Sequence, residues 1–432
     1  MTEFSGLRPV ITQPEHDFGK LIGKVLSPSR PLQSEEFLRG REEQLSSIRQ
    51  ALYQAGRHVL IHGLRGVGKS SLAQTAAFSL PGERDPIVLG CDDNTSFKNL
   101  VREIFEESAS RKPQIESVVK ERGLSVSRFG IGLSVGEREQ EGKLSDPSSV
   151  NEAVRIVKFI CDQIGELVIV VDEFDQVSDV QEQRLFTNFI KQISDRHVPV
   201  KFIFFGIGES VEAIMAAHAS ADRYFHTVNL SQLPWEARFE IVNDAASRLG
   251  IEKDRSTTIR IARISDGFPH YVHSISEKLF WRVFYASNGG KVTVDLFEGA
   301  MSDAAQSMDM KLKGPYEIAT QKYRDDYETI LWAAADGHEL KRRSTDIFNS
   351  YKRIMSGLGL NPLPRDRFNR RLNALKTQSH AQIVSGTRQG WYEFTEKMIR
   401  GYVRLRAEQR GVELEVDHPA GRRRIGTLRV DS

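Results

Sequence analysis

The stretch His58–Leu72, HVLIHGLRGVGKSSL, narrows the folds open to this chain more than any other. A short apolar run, His58 to Ile61, leads into Gly63, and Gly68, Lys69 and Ser70 complete the spacing G-x-x-x-x-G-K-[ST] just before a helical pattern. Glycines in such a strand-to-helix turn let the backbone wrap a phosphate chain with its N–H groups inward. The helix that follows offers its positive end to the anion. The nucleotide-contacting set expected here is Gly63, Leu64, Arg65, Gly66, Val67, Gly68, Lys69, Ser70 and Ser71. Lys69 would reach the β- and γ-phosphates, and the Ser70 hydroxyl would hold Mg²⁺.

A second half of the site is expected about a hundred residues on. Leu167–Val171 is apolar enough for a buried strand, and it ends in Asp172-Glu173-Phe174-Asp175. Carboxylates at the C-terminal end of such a strand lie at the crevice where parallel sheets bind ligands. Asp172 is the candidate second metal ligand. Glu173 is the candidate catalytic carboxylate that orients or deprotonates the attacking water. Asp175 reads first as a helix-capping residue.

Further short apolar runs, Ile87–Leu89, Phe202–Phe205 and Phe225–Leu230, bring the expected strands to five, separated by stretches of helical period. That alternation predicts a parallel sheet covered on both faces. Residues 1–35, with Pro9, Pro14, Pro28 and Pro31, read as an extended N-terminal arm. A helix is expected from about Phe37. Within the long connection 110–149, Gly123–Val135 reads as an inserted strand or hairpin and Glu137–Ser149 as a loop. Beyond Pro234 the pattern is helical to about residue 286.

The 432 residues carry 60 Lys+Arg against 58 Asp+Glu, but the excess is local: residues 321–432 hold 22 basic and 14 acidic residues. In that region Phe368, Leu372 and Leu375 form an apolar stripe that turns Arg367, Arg370, Arg371 and Lys376 toward other faces. Strand signals at Ala381–Val384 and Trp391–Phe394 flank a turn bearing Arg388. Helix, helix, basic helix and hairpin is the order of a winged helix-turn-helix. Arg367, Arg370, Arg371 and Arg388 are its candidate contacts to double-stranded DNA, with salt-sensitive phosphate binding as the consequence.

Only two cysteines, Cys91 and Cys161, are present, too few for a disulfide framework or a structural zinc cluster. The start, MTEFSGLRPV, lacks a basic segment followed by an apolar core, and the longest apolar run is far short of a membrane span. A cytoplasmic protein with no membrane association is the expectation.

Together these motifs resemble the AAA+ and STAND superclass of P-loop ATPases, especially initiator-like members that end in a winged helix. The resemblance extends from about residue 35 to 410. It implies an α/β fold, a P-loop NTPase parallel sheet with a helical lid and a C-terminal winged helix. The implied segments are an arm over 1–35, an ATPase domain over 36–232, a lid over 233–318, a winged helix over 319–415 and a basic tail over 416–432. ATP and Mg²⁺ are the implied cofactors.

In the family a segment like Gly40-Arg41 with Gln44-Leu45 lies near the adenine, which makes Arg41 a candidate. A polar sensor usually stands at the tip of the fourth strand, where this chain has Gly206-Ile207-Gly208, with Glu209 and Ser210 as substitutes. Arg223, just before the fifth strand, stands where the family carries an arginine finger that acts on a neighbouring subunit's nucleotide, hence an expected homo-oligomer. Ser265-Asp266-Gly267-Phe268-Pro269-His270 resembles the G-x-P element, with Pro269 and His270 near the phosphates. The resemblance implies a slow or partner-stimulated ATP-hydrolysing switch that acts on DNA or a DNA-associated complex. Its rival is a signalling or antiviral-defence ATPase that controls a separate protein effector without binding DNA.

Overall fold

A computed structural model describes residues 14–80, 85–112, 147, 149–177, 179–206, 221–386 and 390–414. The expected strand or hairpin at 123–135, almost all of the loop 137–149, Glu209, Ser210, Arg388 and the tail 416–432 lie outside these residues. The chain divides into two compact units. One, the sheet unit, is Pro31–Leu64 with Gly68–Ser231; the other, the helical unit, is Met1–Arg30, Arg65–Val67 and Gln232–Ser432.

The N-terminal arm is not extended throughout. Helix α1 (Glu15–Val25) starts directly after Pro14 and buries Phe18, Ile22 and Val25. The spacing i, i+4, i+7 puts these three on one face. Phe18 stacks on Phe284 with ring centroids 4.3 Å apart and meets Trp281 edge-on at 5.0 Å, both within the helical unit. Burying such a ring contributes about 1.5–3 kcal/mol, enough to hold a short helix that would be marginal alone.

The sheet unit contains α2 (Glu42–Tyr53), β1 (His58–Gly63), α3 (Lys69–Phe78), β2 (Ile87–Gly90), α4 (Phe97–Arg111), α5 (Val150–Ile164), β3 (Leu167–Asp172), α6 (Val180–Asp195), β4 (Val200–Gly206), the short α7 (Ala221–Tyr224) and β5 (Phe225–Leu230). All five strands are parallel, in the order β2-β3-β4-β1-β5. The central strand β4 is buried at every position, as a strand covered on both faces must be. Phe202 and Phe204 on β4 stack at 5.6 Å and meet Phe189 of α6 and Phe174 beyond β3. Helix α5 begins at Ser149, whose side chain accepts the Glu152 N–H, and buries Ala153, Val154, Val157, Ile160 and Cys161 against this core.

In the helical unit α8 (Trp235–Leu249), α9 (Arg255–Ile264), α10 (Pro269–Ala286) and α11 (Val294–Ser307) form one group. They lead through α12 (Met310–Thr320) to α13 (Arg324–Ala335), β6 (Lys341–Arg343), α14 (Ser344–Gly357), α15 (Arg365–Ala374), β7 (Val384–Gly386), β8 (Trp391–Phe394) and α16 (Ile399–Gln409). The three strands form an antiparallel sheet in the order β6-β8-β7. The strand expected at Ala381–Val384 begins instead at Val384, because Ala381 and Gln382 have φ of 54° and 47°, outside any strand conformation. Phe368, Leu372 and Leu375 are fully buried, as their spacing indicates.

Candidate functional site

Gly63 closes β1, and a Cβ there would collide with the Leu230 carbonyl on neighbouring β5, so the turn admits only glycine. Gly68 (φ 96°) is the left-handed N-cap of α3. Between them the Lys69 ammonium donates to the carbonyls of Gly63 at 3.1 Å and Leu64 at 2.9 Å. The cation is thereby held at the loop's base, on the strand end where a phosphate chain would lie. Ser70 follows in the first turn of α3, half-buried. Ser71 is already engaged: its Oγ accepts the Leu32 N–H at 3.1 Å, and Thr75 donates to the Leu32 carbonyl at 3.0 Å. The segment around Leu32, ahead of α2, is thus strapped along the helix that follows the loop, a contact that sequence spacing gave no means to find.

Asp172 ends β3. Burial pushes its carboxyl up to about 6; the Glu173 N–H opposes this, the Glu173 charge adds to it, and Lys69 is close enough to oppose it as well. A half-buried carboxylate raised in this way gains from a cation beside it. Ser70 and Asp172 supply hard oxygen ligands, and among the described residues no cluster of three or more His, Cys, Asp or Glu could hold a metal by itself. That donor set fits Mg²⁺, which binds through one or two protein oxygens plus substrate phosphates rather than in an all-protein cage.

Glu173 is exposed and stands at φ 52°, ψ 36°. A left-handed conformation in a residue other than Gly, Asn or Asp costs about 1–2 kcal/mol, and such strain gathers at functional positions. Among the described residues no hydrogen bond of the Asp175 side chain caps a helix. Its carboxylate instead fills the space beside Gly206, where a Cβ would come 2.6 Å from Oδ1. A side chain at the end of β4 would have to displace Asp175, so the glycine at the expected sensor position has a packing cause.

Arg223 lies exposed on α7, immediately before β5. Arg41 is 4% exposed at the N-cap of α2, and its guanidinium donates to the Ser231 carbonyl at 2.5 Å. Burial lowers it to about 10. Its role in the structure is to tie α2 to the end of β5.

Arg65, Gly66 and Val67 cluster with the helical unit, in which Val67 is buried. Pro269 opens α10, where its missing N–H is harmless, and His270 Nδ1 lies 3.1 Å from the Pro28 carbonyl. Just before them, Asp266 (φ 52°) is 1% exposed and pairs with Arg400 at 3.0 Å and Arg404 at 3.3 Å on α16. Tyr271 donates to the Met398 carbonyl at 2.7 Å.

On α15, Arg367 and Arg370 are exposed and form no ion pair among the described residues. Arg371 is not on that face: it lies 3.9 Å from the Tyr323 ring centroid, hydrogen-bonds Tyr327 and pairs with Asp326 at 3.4 Å. Arg365 is likewise used internally, over Phe348 and against Ser344. Both cysteines are free and buried, and no described helix is long and apolar enough to cross a membrane.

No curated protein sequence matches the chain. Among solved structures, a Walker-type ATPase of Pyrococcus abyssi is 17% identical, covering 87% of this chain and 99% of its own, with a TM-score of 0.48. The ORC2 protein of Aeropyrum pernix, in ADPNP and ADP complexes, is 13% identical over 90% and 98%, TM-score 0.46. The ORC1 protein of Aeropyrum pernix, in complex with DNA, is 15% identical over 90% and 96%, TM-score 0.44. The family model described as AAA ATPase domain matches residues 38–203, a span that takes in the loop at Gly63–Ser70 and the Asp172-Glu173 strand end. Over those residues the chain is similar to that domain, and the strands within them are parallel.

Proposed function

We propose that this protein is a Mg²⁺-dependent switch that binds and slowly hydrolyses ATP and uses the nucleotide state to change its assembly and its contacts with DNA or a DNA-associated complex. The observation that carries the reading is the combination of Lys69, held at the base of the glycine loop after β1, with a half-buried, raised Asp172 carboxylate at the end of β3 and a strained, exposed Glu173 just beyond it. When bound, Mg²⁺ would neutralise charge on the β- and γ-phosphate oxygens. Ser70 and Asp172 would hold it, Lys69 would turn from the loop carbonyls to the phosphates, and Glu173 would orient and accept a proton from the attacking water. Arg223 is exposed and available to act on a neighbouring copy, a contribution worth about 10³–10⁵ in rate where such a residue operates.

Lys69→Ala is expected to abolish nucleotide binding measured by calorimetry, and Glu173→Gln to keep ATP bound with little turnover. A Lys69→Ala protein that binds and hydrolyses ATP like the parent would refute the site. For the DNA contact, Arg367 and Arg370 are the exposed cations. Reversing both should lower duplex affinity and flatten its salt dependence, since each phosphate contact adds about one to the slope. The internal use of Arg371 and Arg365 favours the second reading, in which the C-terminal region meets a protein effector; ATPase rates with and without duplex DNA separate the two.

A further inference from the structure

Four helical segments of the helical unit enclose a cavity of about 140 Å³ far along the chain from the loop at Gly63–Ser70. Lys313, Tyr316 and Glu317 of α12, Arg324 at the start of α13, and Tyr402 and Arg406 of α16 line it. The volume matches about five waters at roughly 30 Å³ each. It falls well below the 300 Å³ or so at which pockets begin to hold whole drug-sized molecules, so a base and sugar do not fit.

The charge of the lining is one-sided. Three cations from three helices converge on the cavity, and Glu317 is the carboxylate among the six, 3.5 Å from Lys313. Behind them Glu328, its side chain 3% exposed, accepts from Tyr316 Oη and Arg324 Nε at 3.1 Å each. Arg406 and Arg410 stand 3.9 Å from the same carboxylate. Four cations therefore share two carboxylates, which leaves two positive charges in excess. Arg406 is also short of acceptors: Nη1 donates to Gln409, while Nε is withdrawn from water with no partner among the described residues. A desolvated guanidinium N–H costs free energy until an acceptor reaches it. The Lys313 and Arg406 side chains remain 28% and 22% exposed, so the cavity is open to solvent.

We propose that this cavity binds a phosphate-sized tetrahedral oxyanion, either inorganic phosphate or the terminal phosphoryl group of a larger molecule. A dianion matches the excess of two charges, and its oxygens suit the forked donors of Arg324 and Arg406, as planar guanidinium groups favour. This site shares no residue with the proposed nucleotide site and does not depend on it.

The test is calorimetric titration of full-length Lys69→Ala protein, in which the glycine loop is disabled, with inorganic phosphate at constant ionic strength set by chloride. Saturable one-site binding is expected, weakened at least tenfold by adding Arg406→Gln and several-fold by adding Lys313→Met, and unchanged by Lys158→Ala, an exposed cation on α5. Lys313 is the more exposed of the two, so its variant keeps the test decisive should the Arg406 variant misfold. A parallel titration with 5′-phosphorylated and 5′-hydroxyl oligonucleotides identifies the source of the group. Arg406-dependent binding of inorganic phosphate alone supports a free ion, and Arg406-dependent preference for the 5′-phosphorylated strand supports a terminal phosphoryl group. Absence of saturable binding of either, or binding that neither Arg406→Gln nor Lys313→Met weakens, overturns the proposal.

Discussion

Asp266 and Arg400, 134 residues apart in sequence, form an ion pair of 3.0 Å in which both side chains are almost wholly buried. Arg404 approaches the same carboxylate, and Arg400 and Arg404 both donate to the Gly337 carbonyl. Within the helical unit this network fastens the segment ahead of α10 to α16. Removing one partner leaves the other charge buried and uncompensated. Asp266→Ala should therefore lower unfolding free energy by about 3–5 kcal/mol, read as a shift of the denaturant midpoint of the full chain.

The left-handed Glu173 predicts a separation of stability from activity. Glycine relieves the backbone strain of about 1–2 kcal/mol, so Glu173→Gly should be more stable than Glu173→Ala by about 1 kcal/mol once glycine's own entropy cost of about 0.5–1 kcal/mol is counted. Both should lack ATP hydrolysis. Thermal unfolding and phosphate-release assays on the pair check this; an alanine variant as stable as the glycine one would show that no strain is stored there.

At the end of β4, Gly206→Ser is expected to destabilise the protein by about 1–3 kcal/mol through overpacking against Asp175. Asp175→Ala in the same chain should recover most of that loss, because the carboxylate is the nearest obstacle. Two independent, additive losses in the double variant would contradict the contact.

Acid sensitivity follows from two buried imidazoles. Burial holds His58 down to about 3, with nearby Lys201 adding to it, and holds His273 down to about 4, with His270 adding. Both stay neutral in the folded protein while the unfolded chain takes up protons near 6.5. Their contribution to stability is complete above about pH 6.5 and is lost progressively as pH falls toward those values. Asp172, raised to about 6, acts in the opposite sense between its unfolded value and about 6. The check is therefore a comparison of slopes: melting temperature between pH 7.5 and 5 should fall less steeply in His58→Gln than in the parent.

The sequence revealed those parts whose physics is local. The glycine loop, the apolar run to Asp172 and all five parallel strands follow from spacing and composition within short windows. Helix α1 carried a visible signal in Phe18, Ile22 and Val25, but the surrounding prolines outweighed it. Strand β6, Lys341–Arg343, has no apolar residue and forms only through pairing with β8. The partners of Asp266, the Ser71–Leu32 contact and the internal use of Arg371 depend on residues far apart in the chain, which periodicity does not bring together.

The order of the strands also sets a ruler. Strand β4 lies between β1 and β3, and neighbouring strands are about 4.8 Å apart, so the end of β1, where the glycine loop begins, and the end of β3, which Asp172 closes, stand roughly 10 Å apart in backbone. Lys69 belongs to α3 rather than to either strand, and its charge reaches across that interval to Asp172.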